Sequence, residues 1–141
     1  MVSEERNLTG EENLDVLLGS LAPQLLEDEF VFCTLADSTY GDHAAARPLA
    51  SFLEAEGLTL VVRKRAAESL GFTHTGGFRC ISLGVQSSLK AVGLTAAVTG
   101  KLSEHGISAN VMAAYFHDHV FVPAGHAQQA LQILVELSCR Q

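Results

Sequence analysis

His117-Asp118-His119 is the one run in this sequence where ligand-type side chains stand together. Two imidazoles and a carboxylate are donors that hold zinc or iron. Neighbouring residues of a turn point in different directions, however, and no distant His, Glu or Cys is paired with them by spacing. A polar turn, with Asp118 bonding its own backbone, is the plainer alternative. A second group of interest is Gln86, Ser87 and Ser88, leading into Gly93, Leu94 and Thr95. If a helix starts there, the N–H groups of residues 93–95 lack intrahelical partners and can take a carboxylate. The Gln86 amide and the Ser87 and Ser88 hydroxyls would add neutral hydrogen bonds. The same residues also suit an ordinary loop with a serine N-cap and a helix-start glycine.

The elements that must position these groups lie in GLTAAVTGKLSEHGISANVMAAYFHDHVFVP, residues 93–123. Leu94, Val98 and Leu102 make one apolar helical stripe. His105-Gly106 ends that helix, glycine accepting the left-handed cap. Residues 108–116 and 119–122 read as strands, with His117-Asp118 as a two-residue turn of types that tolerate positive φ. This is half of a split β-α-β unit, in which the loop after the first strand and the turn between the next two lie at one end of the sheet. Residues 86–94 and 117–119 therefore belong at the same end.

Upstream, Thr9-Gly10-Glu11-Glu12 matches a capping box for a helix carrying Leu14, Leu17, Leu18 and Leu21, which Ala22-Pro23 stops. Residues 1–8 are expected to be mobile. Residues 29–35 read as a buried strand, and 36–46 as a long loop. Residues 47–56 have helix propensity, but the two halves of the chain favour a strand there. Strand 58–62 followed by helix 64–70 parallels strand 119–122 followed by helix 125–137, so 49–54 takes the place of 111–116. Residues 71–77 (GFTHTGG) read as a flexible junction and 78–85 as the first strand of the second half. The last helix buries Ala127, Ala130, Leu131, Leu134 and Leu137. No strand follows it, so a closing strand must come from the first half, with 29–35 the candidate, or from a second chain. Exposed edges then predict a dimer. The halves divide as 9–73 and 74–141.

Composition narrows the function. With 48% apolar and 18% charged residues, a sizeable core is available. The net charge is −7, and residues 1–29, with eight acids against Arg6, carry all of it. A nucleic-acid binder needs a basic face. The only basic run, Arg63-Lys64-Arg65, reads as a solvated turn and not a phosphate site. No apolar stretch is long enough for a membrane helix, and the acidic start is unlike a signal peptide, so a cytoplasmic setting is expected. Cys33 and Cys80 read as small buried hydrophobes and Cys139 as a free thiol. His43, His74, His105 and His126 read as solvated, and Tyr115 and Phe116 as core or dimer-interface residues. No nucleophile elbow, P-loop or dinucleotide pattern occurs, so neither an enzyme nor a cofactor is predicted.

The glycine before the helix, Leu-x-x-x-Gly-Ile-x-x-Asn-Val at residues 102–111, and the acid at the hairpin before Val-Phe-Val-Pro resemble ACT domains. Those of tandem-ACT proteins such as aspartokinase regulatory regions are the nearest in kind. The resemblance is strong over 78–137 and weaker over 29–70. It implies an α+β chain of two ferredoxin-like βαββαβ units, with antiparallel sheets and helices on one face. It further implies a small amino acid as ligand, bound where the 86–95 loop meets a hairpin acid of a neighbouring ACT unit. Asp118 would then receive the ligand's ammonium group, Gly93, Leu94 and Thr95 its carboxylate, and Ser87 and Ser88 neutral contacts. His117 and His119, which flank the acid, would join it in contacting the ligand. Asn110 occupies a position that often carries Asn in the family, where it would contact the ligand; closing the Gly106 turn with side-chain hydrogen bonds is the alternative.

Overall fold

The computed structural model describes residues 11–139. The segment 1–8 and the Thr9 end of the capping box lie outside the described residues. The chain is α+β, with α1 (Leu14–Gly19), β1 (Pro23–Leu35), β2 (Ala50–Glu54), β3 (Gly57–Arg63), α2 (Lys64–Leu70), β4 (His74–Leu83), α3 (Leu94–Glu104), β5 (Asn110–Ala113), β6 (Asp118–Pro123) and α4 (Ala127–Cys139). Contacts divide it into one unit of residues 27–79 and another of residues 11–26 with 80–139.

In the unit of residues 27–79 the strand order is β2-β3-β1-β4. β1 and β3 pair antiparallel from Phe30↔Arg63 to Leu35↔Leu58, and β2 and β3 from Ala50↔Val61 to Glu54↔Gly57. Residues 50–54 are thus a strand, as the comparison of the two halves predicts and against their helix propensity. Most of β2 is exposed, so pairing with β3 decides its conformation. Gly57 is obligatory at this turn: its φ is +149°, and a Cβ there would sit 2.8 Å from the Leu35 carbonyl oxygen. Val31 and Cys33 on β1 with Leu58, Leu60 and Val62 on β3 form the core, packed with Ala46 and with Ala67 of α2. The loop after β1 contains a 3-10 turn, Ala44–Ala46, flanked by His43 and Arg47 in left-handed backbone conformation. The expected flexible junction is a strand from His74 onward. Its glycines allow close approach, since a Cβ on Gly77 would lie 2.8 Å from Glu29 Oε1.

In the unit of residues 11–26 with 80–139 the order is β1-β4-β6-β5. Residues 23–26 supply the closing strand, and the Gly84 and Val85 N–H groups donate to the Ala22 and Leu21 carbonyls at 3.0 and 3.3 Å. The donor is therefore the start of β1, upstream of the expected 29–35. α1 ends at Gly19 and the chain turns at Ala22 (φ +46°), which leaves Pro23 free to begin the strand. A missing strand consequently gives no reason to expect a dimer. Ile81, Leu83, Val120 and Val122 face the helices, meeting Leu94, Val98 and Leu102 of α3 and Ala130, Ile133 and Leu134 of α4. Leu17, Leu18 and Leu21 close the same core. The cap of α1 is Asn13, whose side chain accepts from the Val16 N–H at 3.1 Å. Glu12, expected inside the helix, precedes it.

Candidate functional site

The expected two-residue turn at His117-Asp118 is not formed. β5 ends at Ala113, residues 114–117 make the loop, and the Ala114 N–H donates to the His117 carbonyl at 3.0 Å. None of these four residues has positive φ. Asp118 is instead the first residue of β6, opposite Ala113. Strand alternation puts it on the same face as Val120 and Val122. Its carboxylate turns inward and only 8% of the residue is exposed. Tyr115 and Phe116 are not core residues: they stand exposed at the loop tip with ring centroids 4.9 Å apart.

The inward carboxylate meets the loop after β4. Ser87 Oγ donates to Asp118 Oδ2 at 3.5 Å. That length leaves the acid weakly satisfied. Burial raises the Asp118 pKa above the ordinary carboxylate value, against the lowering effects of Ser87, His119 and His117. His117 Nδ1 lies 3.2 Å from the Val85 carbonyl, an acceptor only, which places a proton on that nitrogen. His119 points to the other face, where its buried Nδ1 has no partner. Burial, and then the charge of His117, lower its pKa. Among the described residues no group of three His, Cys, Asp or Glu side chains could hold a metal ion.

Ser88 is engaged within the loop, accepting from the Lys90 N–H at 3.1 Å and donating to Glu12 at 3.2 Å. Residues 11–12 run beside this loop: the Glu11 N–H donates to the Gln86 carbonyl at 3.1 Å and the Ser88 N–H to the Glu11 carbonyl at 2.9 Å. The sequence carried no signal for that pairing. Gly93 opens α3 with φ +97°, packed so closely on Leu14 that a Cβ would lie 3.2 Å from its Cδ2. No side chain caps α3, Leu94 is buried and Thr95 is exposed. Asn110 stands apart: it is exposed at the far end of β5, opposite Phe121. The structure thus brings Ser87 to Asp118, puts Gly93, Leu94 and Thr95 at an uncapped helix start, and leaves Asn110 away from Asp118.

The remaining polar residues depart in part from expectation. His43 Nε2 lies 3.1 Å from Ser38 Oγ, with its ring against Phe72, and His74 has a buried Nδ1 without a partner, so neither is simply solvated. Cys33 and Cys80 are buried and Cys139 is exposed. Burial pushes the Cys80 thiol up to about 11.

The ACT domain family matches twice, over residues 9–79 and over residues 74–136. The chain belongs to the ACT domain family. Among solved structures it is similar to a Vibrio cholerae protein of unknown function, described as a possible transport protein, at 48% identity over 89% of this chain and 95% of that one, TM-score 0.81. The regulatory subunit of aspartate kinase from Thermus flavus shares the fold at 12% identity over 82% of this chain and 96% of that one, TM-score 0.59. Aspartokinase III of E. coli, solved with aspartate and ADP, shares it at 14% identity over 82% of this chain and 33% of the enzyme, TM-score 0.62. Among curated proteins none matches. Each unit of this ACT protein is a ferredoxin-like sheet, carrying α2 and the 3-10 turn in residues 27–79 and α1, α3 and α4 in the other unit; among the described residues no helix is long and apolar enough to cross a membrane.

Proposed function

We propose that this ACT protein is a non-catalytic sensor that binds a small amino acid at the Asp118 end of the unit of residues 11–26 with 80–139. The observation that carries this reading is Asp118 itself. It is a buried acid whose hydrogen bond from Ser87, at 3.5 Å, is long. Such a carboxylate gains from a cation, and an α-ammonium group supplies one. The N–H groups at the start of α3, which no side chain caps, suit the ligand's carboxylate. Exposed Leu89 and Val92 beside the loop offer apolar surface to the ligand side chain or to a second copy of the chain. On this reading the protein works in the cytoplasm as a homodimer, and ligand acts by favouring one conformation of the loop. Its family relationship to the regulatory parts of aspartate kinases supports a regulatory role of this kind.

The second reading is an ACT module that binds only a partner. It is favoured by the way residues 11–12 already use the hydrogen-bonding groups of the 86–88 loop. A thermal-shift screen of the amino acids separates the two. Ligand at 100 times its dissociation constant adds about 2.7 kcal/mol, a rise of several degrees for a chain of this size. Sensing predicts such a rise with at least one amino acid at millimolar concentration. The partner-only reading predicts none.

A further inference from the structure

In the unit of residues 27–79, an open cleft of about 850 Å³ is lined by the 44–49 segment and by Asp28, Arg63, Arg65 and Ala66. Three arginines reach it, Arg47, Arg63 and Arg65, against a single carboxylate. The whole sequence has only nine Lys and Arg and a net charge of −7, so a third of its cations line one cleft. Asp28 takes the Arg63 Nε–H at 2.8 Å, which holds Arg63 at the cleft wall, and lies 3.7 Å from the exposed Arg65 Nη2. The charge of Arg79 also acts on Asp28. Among the described residues Arg47 has no carboxylate within ion-pair distance. Its position is set by the backbone, since it ends the 3-10 turn with φ +51° and its N–H donates to the Ala44 carbonyl at 3.0 Å. The basic run that reads as a solvated turn in the sequence therefore gains a third guanidinium across a cleft, supplied by a loop sixteen residues upstream of Arg63.

We propose that this cleft is a binding site for a compact dianion, either inorganic phosphate or a short dicarboxylate. A guanidinium presents paired N–H donors that match two oxygens of a phosphate or carboxylate group. Arg47 and Arg65, both lining the cleft, can each take one acidic group, while Arg63 stays with Asp28. The cleft is wide, open and polar, which suits a small hydrated anion better than an apolar metabolite. This site is separate from the Asp118 end of the other unit and does not depend on the sensing role.

The test is calorimetric titration of the full chain with sodium phosphate and with sodium succinate, each against sodium chloride at matched ionic strength. The expected result is saturable binding of at least one dianion, weakened about fivefold or more by Arg47→Gln and by Arg65→Gln. Both side chains are exposed, so the unliganded melting temperature of each variant should match wild type, which separates lost binding from lost fold. Saturation by phosphate alone or by succinate alone identifies which dianion the cleft takes. No saturable heat with either at roughly tens of millimolar, or equal binding by wild type and both variants, would overturn the proposal.

Discussion

Ser87 Oγ lies 3.5 Å from Asp118 Oδ2, joining the loop after β4 to the first residue of β6 across 31 positions of sequence. The contact is long for a hydroxyl on a carboxylate, and Asp118 is buried beneath it. An acid held this way is destabilising to the fold unless something cationic meets it. On the proposed function that something is the ligand, which makes the stability of this residue and its binding role opposed.

The first prediction follows from that opposition. The Asp118 pKa is raised from 3.8 by burial. A carboxyl with a raised folded pKa contributes stability that is full below the unfolded value and is lost as pH rises through the folded value. At pH 7 the charged form therefore works against folding. Asp118→Asn keeps an oxygen for Ser87 and removes the charge. It should raise the melting temperature at pH 7, with the gain shrinking as pH falls toward the ordinary carboxylate range, and should abolish any amino-acid response. Thermal melts across pH, with and without amino acids, measure both effects.

A second pH effect has the opposite sign. His119 has its pKa lowered from 6.5, first by burial. A histidine with a depressed folded pKa contributes stability that is present above the unfolded value and is lost as pH falls below it. The protein should lose melting temperature as pH falls below about 6.5. His119→Gln, which cannot titrate, should flatten that slope. Melts of both proteins between neutral and mildly acid pH test it.

The β2–β3 turn gives a backbone prediction. Gly57→Ala places a Cβ 2.8 Å from the Leu35 carbonyl oxygen at φ +149°. The expected loss is about 2 kcal/mol, or roughly 6 °C of melting temperature. Gly100→Ala is the contrasting control, because its Cβ meets nothing within 4 Å. It sits inside α3 and should be neutral or stabilising by up to about 1 kcal/mol.

At α1 the cap is Asn13. Asn13→Ala should cost about 1 kcal/mol, read as a drop of roughly 3 °C. The Val16 N–H, which Asn13 satisfies at 3.1 Å, should exchange faster with solvent in the variant.

Local pattern made much of the fold legible. The stripe Leu94, Val98, Leu102 marks α3 without help from tertiary contacts, and the match between the two halves correctly assigns 50–54 to a strand whose composition favours helix. Long-range choices were harder to read. That β1 starts at Pro23 depends on the turn at Ala22, where a non-glycine residue takes φ +46°. The site was half legible. Asp118 shares the alternation of Val120 and Val122, which points it inward, but reading His117-Asp118 as a turn hides that register. The pairing of Glu11 with the 86–88 loop, and the shared cleft of Arg47 with Arg63 and Arg65, join segments far apart in sequence by backbone geometry. Neither leaves a local mark.

The most direct measurement is a titration of isotope-labelled protein, followed by backbone amide NMR, with the amino acid that most raises the melting temperature. Binding at the Asp118 end should shift the amides of Ser87, Leu94, Thr95 and Asp118 together with one dissociation constant, and Asp118→Asn should abolish the shifts while leaving the rest of the spectrum folded. Shifts confined to other residues, shifts that persist in Asp118→Asn, or no response to any amino acid at millimolar concentration would contradict it.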